Sequence, residues 1–415
     1  MPALPLHDPL GPFSGGPGTR VAWHDPVRGS SGYASRVNPS DRWTRLRRLL
    51  LAGFLIVLMV LCGLLVLATV TSSTGLVGFL IGLCLALLPL PVVIGALRWI
   101  DRFEPEPRGV LLFAFFWGAT VAALAAAVLN TASAVAIART GGESEGMAST
   151  AVLVAPWVEE AAKGLAVLLV LWFRRVEFDG VVDGIVLAGL AGVGFAFTEN
   201  ILYFGRAFLA GGEELGVTGG FFAVGITFVL RGVLSPFAHP LFTAMTGIGL
   251  GLAARSVSAR VRVLAPLVGF LLAVLLHATW NWASLAGISG FLTGYVAIMV
   301  PAFAATVAVA VWSRRREGAT VARRLPAYVD AGWLDPDDVP MLASLARRRQ
   351  ALRWVDARYG SASSRALRDF QHTATELAFL RDRVERGHDV ADFPAKEREL
   401  LALVARSRTA AGPAH

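Results

Sequence analysis

PWVEEAAKGLAVLLVLWF, residues 156–173, has the length and apolar content of a membrane helix, yet carries Glu159, Glu160 and Lys163. About 20 helical residues cross a hydrocarbon core of roughly 30 Å. An ionised side chain at the centre of that core costs about 2.5–3.5 kcal/mol or more. The stretch thus indicates a membrane helix whose charges need partners. Helical spacing offers the first, because Lys163 lies three residues from Glu160 and four from Glu159 and can face either carboxylate.

The chain has 415 residues, 55% of them hydrophobic and only 16% charged, so long apolar runs override the prior for a soluble protein. The net charge of +8 is almost wholly arginine, since Lys163 and Lys396 are the only lysines. No basic stripe interleaved with aromatics marks a nucleic-acid partner. Most arginines instead flank apolar runs, where orientation in a bilayer explains them. Cys62 and Cys84 fall inside apolar runs and read as packing residues.

Eight crossings are predicted, at about 48–70, 76–97, 109–138, 150–173, 183–207, 236–254, 263–285 and 291–312. Arg42, Arg45, Arg47 and Arg48, then Arg98, Arg102 and Arg108, Arg174 and Arg175, Arg255, Arg260 and Arg262, and Arg314–Arg316 all fall on one side in this scheme. The other side receives the acidic or neutral loops TSSTG, TGGESEGMAS, AGGEELGVTGG and LAGISG. A ninth crossing at 219–234 would put Arg255–Arg262 on the wrong side, so that segment reads as a re-entrant or surface helix.

The expected fold class is therefore all-α: a polytopic membrane bundle of about eight spans with that extra helix, plus a small cytoplasmic helical domain. Residues 1–46, rich in Arg, Gly and Pro, read as a disordered cytoplasmic tail and not a cleavable signal. Residues 47–312 form the membrane-embedded domain, 313–408 the cytoplasmic helical domain and 409–415 a flexible tail. Both termini are expected to be cytoplasmic. Asp335-Pro336 suits a helix start, and His372 and His388 lie among charged residues on solvated faces.

Four clusters of polar residues interrupt the spans: Glu159, Glu160 and Lys163; Glu199 and Asn200 in GFAFTENILYF; Arg231 and His239 in RGVLSPFAHPLF; and His277 and Asn281 in LLHATWNW. His277 and Asn281, four apart, share a helix face. Gly189, Gly192 and Gly194 thin the helix bearing Glu199 so that neighbours can approach. Each cluster has an ordinary reading: an ion pair, an interhelical hydrogen bond, a snorkelling side chain or a carbonyl anchor. Those readings weaken together, because the groups fall at depths of roughly 5–14 Å from the same outer face at ~1.5 Å per residue.

Peptide hydrolysis needs an activated water, an oxyanion partner and a proton for the leaving amine. A desolvated glutamate can act as base and then acid, and imidazole or Asn can serve the oxyanion. Two His and one Glu would equally suit a catalytic zinc, with Glu160, Glu199, His239 and His277 as the available ligands. HExxH does not occur, and a metal-independent route stays open. Intramembrane Glu, Lys and His also build proton relays, so an ion-coupled transporter is the rival reading, with a non-catalytic membrane scaffold behind it.

In order along the chain, EEAAK, GFAFTEN, AHPLFTAMTGIGLG and HATWN resemble the PrsW family of bacterial intramembrane proteases, relatives of the CAAX prenyl endopeptidase-like group. The resemblance spans about residues 85–312, and VEFDGVVDGIV with Asp183 also fits it. It implies proteolysis of a membrane-anchored protein substrate in the bacterial cell membrane, near the extracytoplasmic side, with anti-sigma factors as the associated substrate class. It also implies that Glu159, Glu160, Glu199, His239 and His277 are essential. The catalytic set is thus Glu159, Glu160, Glu199, His239, His277 and Asn281, supported by Lys163, Asn200, Arg231 and Asp183. Spacing alone does not separate Glu159 from Glu160 as the base.

Overall fold

The computed structural model describes residues 39–412 apart from 175–177, 179 and 391. The expected tail up to residue 38, Arg175, most of the VEFD segment and residues 413–415 lie outside the described residues. The described chain is all helix with no strand. Five helical stretches are long and apolar enough to cross a membrane. Three of them, of 52, 74 and 44 residues, are far longer than one crossing requires.

The first begins with α1 (Pro39–Leu87), which breaks at Gly75, where φ is 61°. That left-handed conformation suits glycine, which has no Cβ to clash. The chain reverses there: Gly63 packs on Thr120 on the way out, and Gly78 and Gly82 pack on Gly205 and Ile201 on the way back. α2 (Leu90–Ile100) continues the return and sets Leu97 against Gly189. α3 (Arg108–Phe116), a π-helical turn at Trp117–Ala122 and α4 (Ala123–Gly141) form the next long stretch. α5 (Glu143–Ser149) and a second π-turn at Thr150–Val154 lead into α6 (Ala155–Phe173), the stretch quoted above. Its three charges set α6 apart from the five apolar stretches.

α7 (Val181–Phe228) is the central helix, and the stretch containing it is the most enclosed of the five. It breaks at Leu215-Gly216, where Gly216 has φ 67°. Residues 217–234 then run back antiparallel to its upper part: Gly219 meets Gly211, Gly220 meets Phe208, and the Phe228 ring packs at a tilt against Phe204. A π-turn at Val229–Leu234 and an interruption at Ser235–Phe237 follow before α8 (Ala238–Ala254). α8 keeps the same direction, with His239 beside Gly192, Gly247 beside Gly184 and Gly251 beside Gly180. The segment 219–234 is therefore not a separate re-entrant or surface helix. It is the upper part of one returning arm that the Ser235-Pro236 break divides.

α9 (Ala259–Leu285) packs on α8, and α10 (Gly287–Gly294) leads to α11 (Val300–Arg324). α11 runs without interruption across the boundary expected at 312/313. Beyond it come the short α12 (Pro326–Asp330) and α13 (Asp338–Leu342), then α14 (Leu345–Glu385) and α15 (Phe393–Ala411). These helices share a core around Tyr328, Leu342, Phe370, Leu377 and Val404. α15 takes in residues 409–411 of the expected tail. Arg348 on α14 is buried, donating from Nε to Leu342 O at 2.7 Å and from Nη1 to Phe103 O at 3.2 Å. That side chain ties the C-terminal helices to the loop between α2 and α3.

The α7/α8 pairing depends on backbone approach, since a Cβ on Gly184 would lie 2.0 Å from Gly247 O. Gly184→Ala is expected to lower the thermal unfolding midpoint in detergent, with overpacking costing about 1–3 kcal/mol. Gly95→Ala, where a Cβ meets nothing within 4 Å, should leave it unchanged or raise it slightly. Equal midpoints for the two variants would refute the close pairing.

Candidate active site

α6 presents Glu159, Glu160 and Lys163 inward, and all three are buried. Glu160 is fully engaged. Its Oε1 accepts from Lys163 Nζ at 2.6 Å and from His277 Nδ1 at 2.9 Å, and its Oε2 lies 2.9 Å from the Thr243 hydroxyl. Donors from α6, α8 and α9 thus converge on one carboxylate.

Lys163 reaches further. Its Nζ lies 3.2 Å from His239 Nδ1, 3.8 Å from Glu159 Oε2 and 4.4 Å from the centre of the Phe195 ring. An ammonium only donates, so His239 Nδ1 accepts, and the neutral ring carries its proton on Nε2. That N–H faces Glu199 Oε2 at 2.8 Å. The same oxygen accepts from the Arg231 guanidinium, whose Nε donates to Asn200 Oδ1 at 2.7 Å and which lies over the Tyr203 ring.

Glu159 differs from its neighbour. Its Oε1 accepts from Asn130 Nδ2 on α4 at 3.1 Å, while its buried Oε2 has no hydrogen-bond partner among the described residues. His277 Nε2 stands 3.7 Å from that oxygen. Because Nδ1 of His277 donates to Glu160, the neutral ring presents a lone pair at Nε2. Two acceptors therefore face one another at the centre of the cluster, an arrangement that holds a water proton or a cation. With all three carboxylates ionised against Lys163 and Arg231, one negative charge is uncompensated.

A buried carboxylate oxygen and two imidazoles are suitable ligands for zinc. Glu159, His239 and His277 each offer an atom within 4.8 Å of the others. His277 already shows the supporting pattern of a metal-binding imidazole, its second nitrogen bonded to a carboxylate. Of the ligands expected from sequence, His239 and His277 fall in this group, with Glu159 beside them. Both Glu160 oxygens accept hydrogen bonds, and Glu199 lies against His239 Nε2 and Arg231.

The structure brings together five of the six expected catalytic residues, with Lys163, Asn200 and Arg231 around them. Asn281 lies one turn beyond His277, and its Nδ2 donates to Ala151 O at 2.8 Å, joining α9 to the second π-turn. Asp183 does not belong to the site. It caps α7 by accepting from Gly180 N at 2.8 Å, about 24 Å along the helix from Glu199. Asn130 and Thr243 were missed. Each left a trace in the sequence, Asn130 as a polar residue within AAAVLNTASA and Thr243 as a hydroxyl one turn after His239. A small cleft beside the cluster, lined by Asn200, Arg231, Ser235, Pro236, His239 and Trp280, sits where the returning arm breaks.

The family model for the PrsW family intramembrane metalloprotease matches residues 106–306, a range that contains every residue of this cluster. The Protease PrsW of Geobacillus kaustophilus (strain HTA426) is 30% identical over 186 residues, covering 45% of this chain and 72% of that protein. No solved structure matches the chain. Sequence relationship and site agree, and this multi-pass membrane protein belongs to the PrsW family of intramembrane metalloproteases.

Proposed function

We propose that the chain hydrolyses a peptide bond of a membrane-anchored protein near the extracytoplasmic face, with anti-sigma factors as the substrate class suggested by the family. The observation that carries this reading is the buried Glu159 Oε2, which accepts no hydrogen bond among the described residues, facing His277 Nε2. In the proposed topology the outward and return halves of α1–α2, α3–α4, α5–α6, α7 to Leu215, the arm 217–254, α9 and α10–α11 make eight crossings. The arginine-rich ends are placed in the cytoplasm. Glu199 then lies about 27 Å along α7 from its cytoplasmic end, in the outer half of the bilayer. The C-terminal helices form a cytoplasmic unit.

Glu159 Oε2 takes a proton from a water held against His277 Nε2, and the water oxygen bonds to the substrate carbonyl carbon. The oxyanion draws on donors at the cleft wall, Arg231 and the Nε2–H of His239. As the C–N bond breaks, Glu159 passes the proton to the leaving amine. Glu160 acts through others, fixing the tautomer and direction of His277 while Lys163 balances its charge. A divalent ion held by Glu159, His239 and His277 would polarise the carbonyl and acidify the water. His239 Nε2 must then lose its proton, and Glu199, 2.8 Å away, is placed to accept it.

Glu159→Gln should reduce cleavage of a reconstituted single-span substrate by about 10²–10⁴-fold. Its unfolding midpoint should stay close to that of the unmodified chain, because Glu159 Oε2 makes no hydrogen bond to lose. Full cleavage by this variant would remove Glu159 from the mechanism. Chelation should abolish cleavage and zinc should restore it, with fragment masses as the readout; undiminished cleavage after exhaustive chelation would exclude the metal from the reaction.

A further inference from the structure

α4 reads ALAAAVLNTASAVAIARTG, and Asn130 is the one amide side chain in it. An amide in an apolar helix commonly bonds a neighbouring helix and serves packing. Asn130 bonds instead to a carboxylate of the cluster: its Nδ2 donates to Glu159 Oε1 at 3.1 Å. An ionised carboxylate only accepts, so the amide nitrogen faces it and Oδ1 turns away. That Oδ1 is buried and accepts no hydrogen bond among the described residues. An amide kept for packing alone would normally have both ends satisfied. Asn130 is engaged on one side only, the side of Glu159.

Glu159 has a competing partner. Lys163 Nζ carries three N–H donors and spends two of them, on Glu160 Oε1 at 2.6 Å and His239 Nδ1 at 3.2 Å. Glu159 Oε2 lies 3.8 Å from the same nitrogen, about 1 Å beyond a hydrogen bond. The terminal torsion of a glutamate is soft and roughly two-fold. With nothing holding Oε1, the carboxylate would turn toward the ammonium, drawn by a Coulomb attraction that burial strengthens. Oε2 would then leave its place 3.7 Å from His277 Nε2.

We propose that Asn130 is a positioning residue for the hydrolytic site: its N–H anchors Glu159 Oε1, keeps the carboxylate out of a full ion pair with Lys163, and leaves Oε2 facing His277. The inference rests on the hydrolytic reading above, in which that oxygen takes the proton of the water or binds a metal ion. Asn130 itself touches no reacting atom and acts through Glu159. The stretch that carries it has a second anchor on α6, where Trp117 Nε1 donates to Ala162 O at 2.9 Å. Loss of the Asn130 amide therefore frees the carboxylate without freeing the helix.

The test compares Asn130→Leu, which removes the donor at similar volume, with Thr198→Val. The latter removes a buried interhelical bond of the ordinary kind, Thr198 Oγ1 to Ala119 O at 2.7 Å. For the full chain in detergent, three quantities are measured. They are the unfolding midpoint, the zinc affinity of the metal-stripped chain by competition with a chromogenic chelator, and steady-state cleavage of a reconstituted single-span substrate at saturating zinc. Asn130→Leu should bind zinc about 10–100-fold more weakly and lose a similar factor in kcat at unchanged KM. Thr198→Val should move the midpoint alone. Unchanged zinc affinity and kcat in Asn130→Leu would overturn the proposal, as would equal losses in Thr198→Val. Asn130→Ala removes the same donor and decides the result if the leucine variant does not fold. If the unmodified chain cleaves without binding zinc, kcat alone decides; if it does neither, the hydrolytic reading fails and takes this inference with it.

Discussion

A charge inside hydrocarbon is tolerated only with a partner, and here that constraint acts through the contact between Lys163 and Glu160. Both side chains are buried, and together they organise two further helices. Glu160 draws His277 from α9 and Thr243 from α8, while Lys163 fixes the acceptor nitrogen of His239. The neighbouring Glu159 keeps one oxygen free of hydrogen bonds, 3.8 Å from Lys163 Nζ, because its sister carboxylate takes the short contact with that ammonium. Two adjacent glutamates on one helix thus differ in their contacts, one hydrogen-bonded at both oxygens and the other leaving a buried oxygen without a hydrogen bond, and the proposed mechanism uses that difference.

The break at Ser235–Phe237 is the backbone counterpart of that division. It lets the returning arm change course beside α7, so that Arg231 before the break and His239 after it both reach Glu199. A continuous helix would put eight residues, more than two turns, between them. Glycines on α7 and α8 allow the two backbones to approach on the other side of the cluster, with Gly184 against Gly247. Close packing and polar chemistry are therefore interleaved along one helix pair.

Much of the site was legible because charge in an apolar span is rare and expensive: Glu159, Glu160, Lys163, Glu199, Arg231, His239 and His277 announce themselves. The roles of Glu159 and Glu160 were not legible, because they depend on Asn130 and Thr243, contributed by α4 and α8. Asp183 looked like a site residue only through its motif; three residues after Gly180, it is a helix cap. The segment 219–234 was misread because loop charge counts cannot tell a return from a continuation. That distinction lies in contacts such as Gly219 with Gly211 and His239 with Gly192.

The central claim is the asymmetry between the two carboxylates, and a pair of double-mutant cycles for unfolding in detergent measures it. Glu160→Gln with Lys163→Met should give a coupling energy of about 2–3 kcal/mol, and Glu159→Gln with Lys163→Met well below 1 kcal/mol. The reverse order, or equal coupling in the two cycles, would contradict the account.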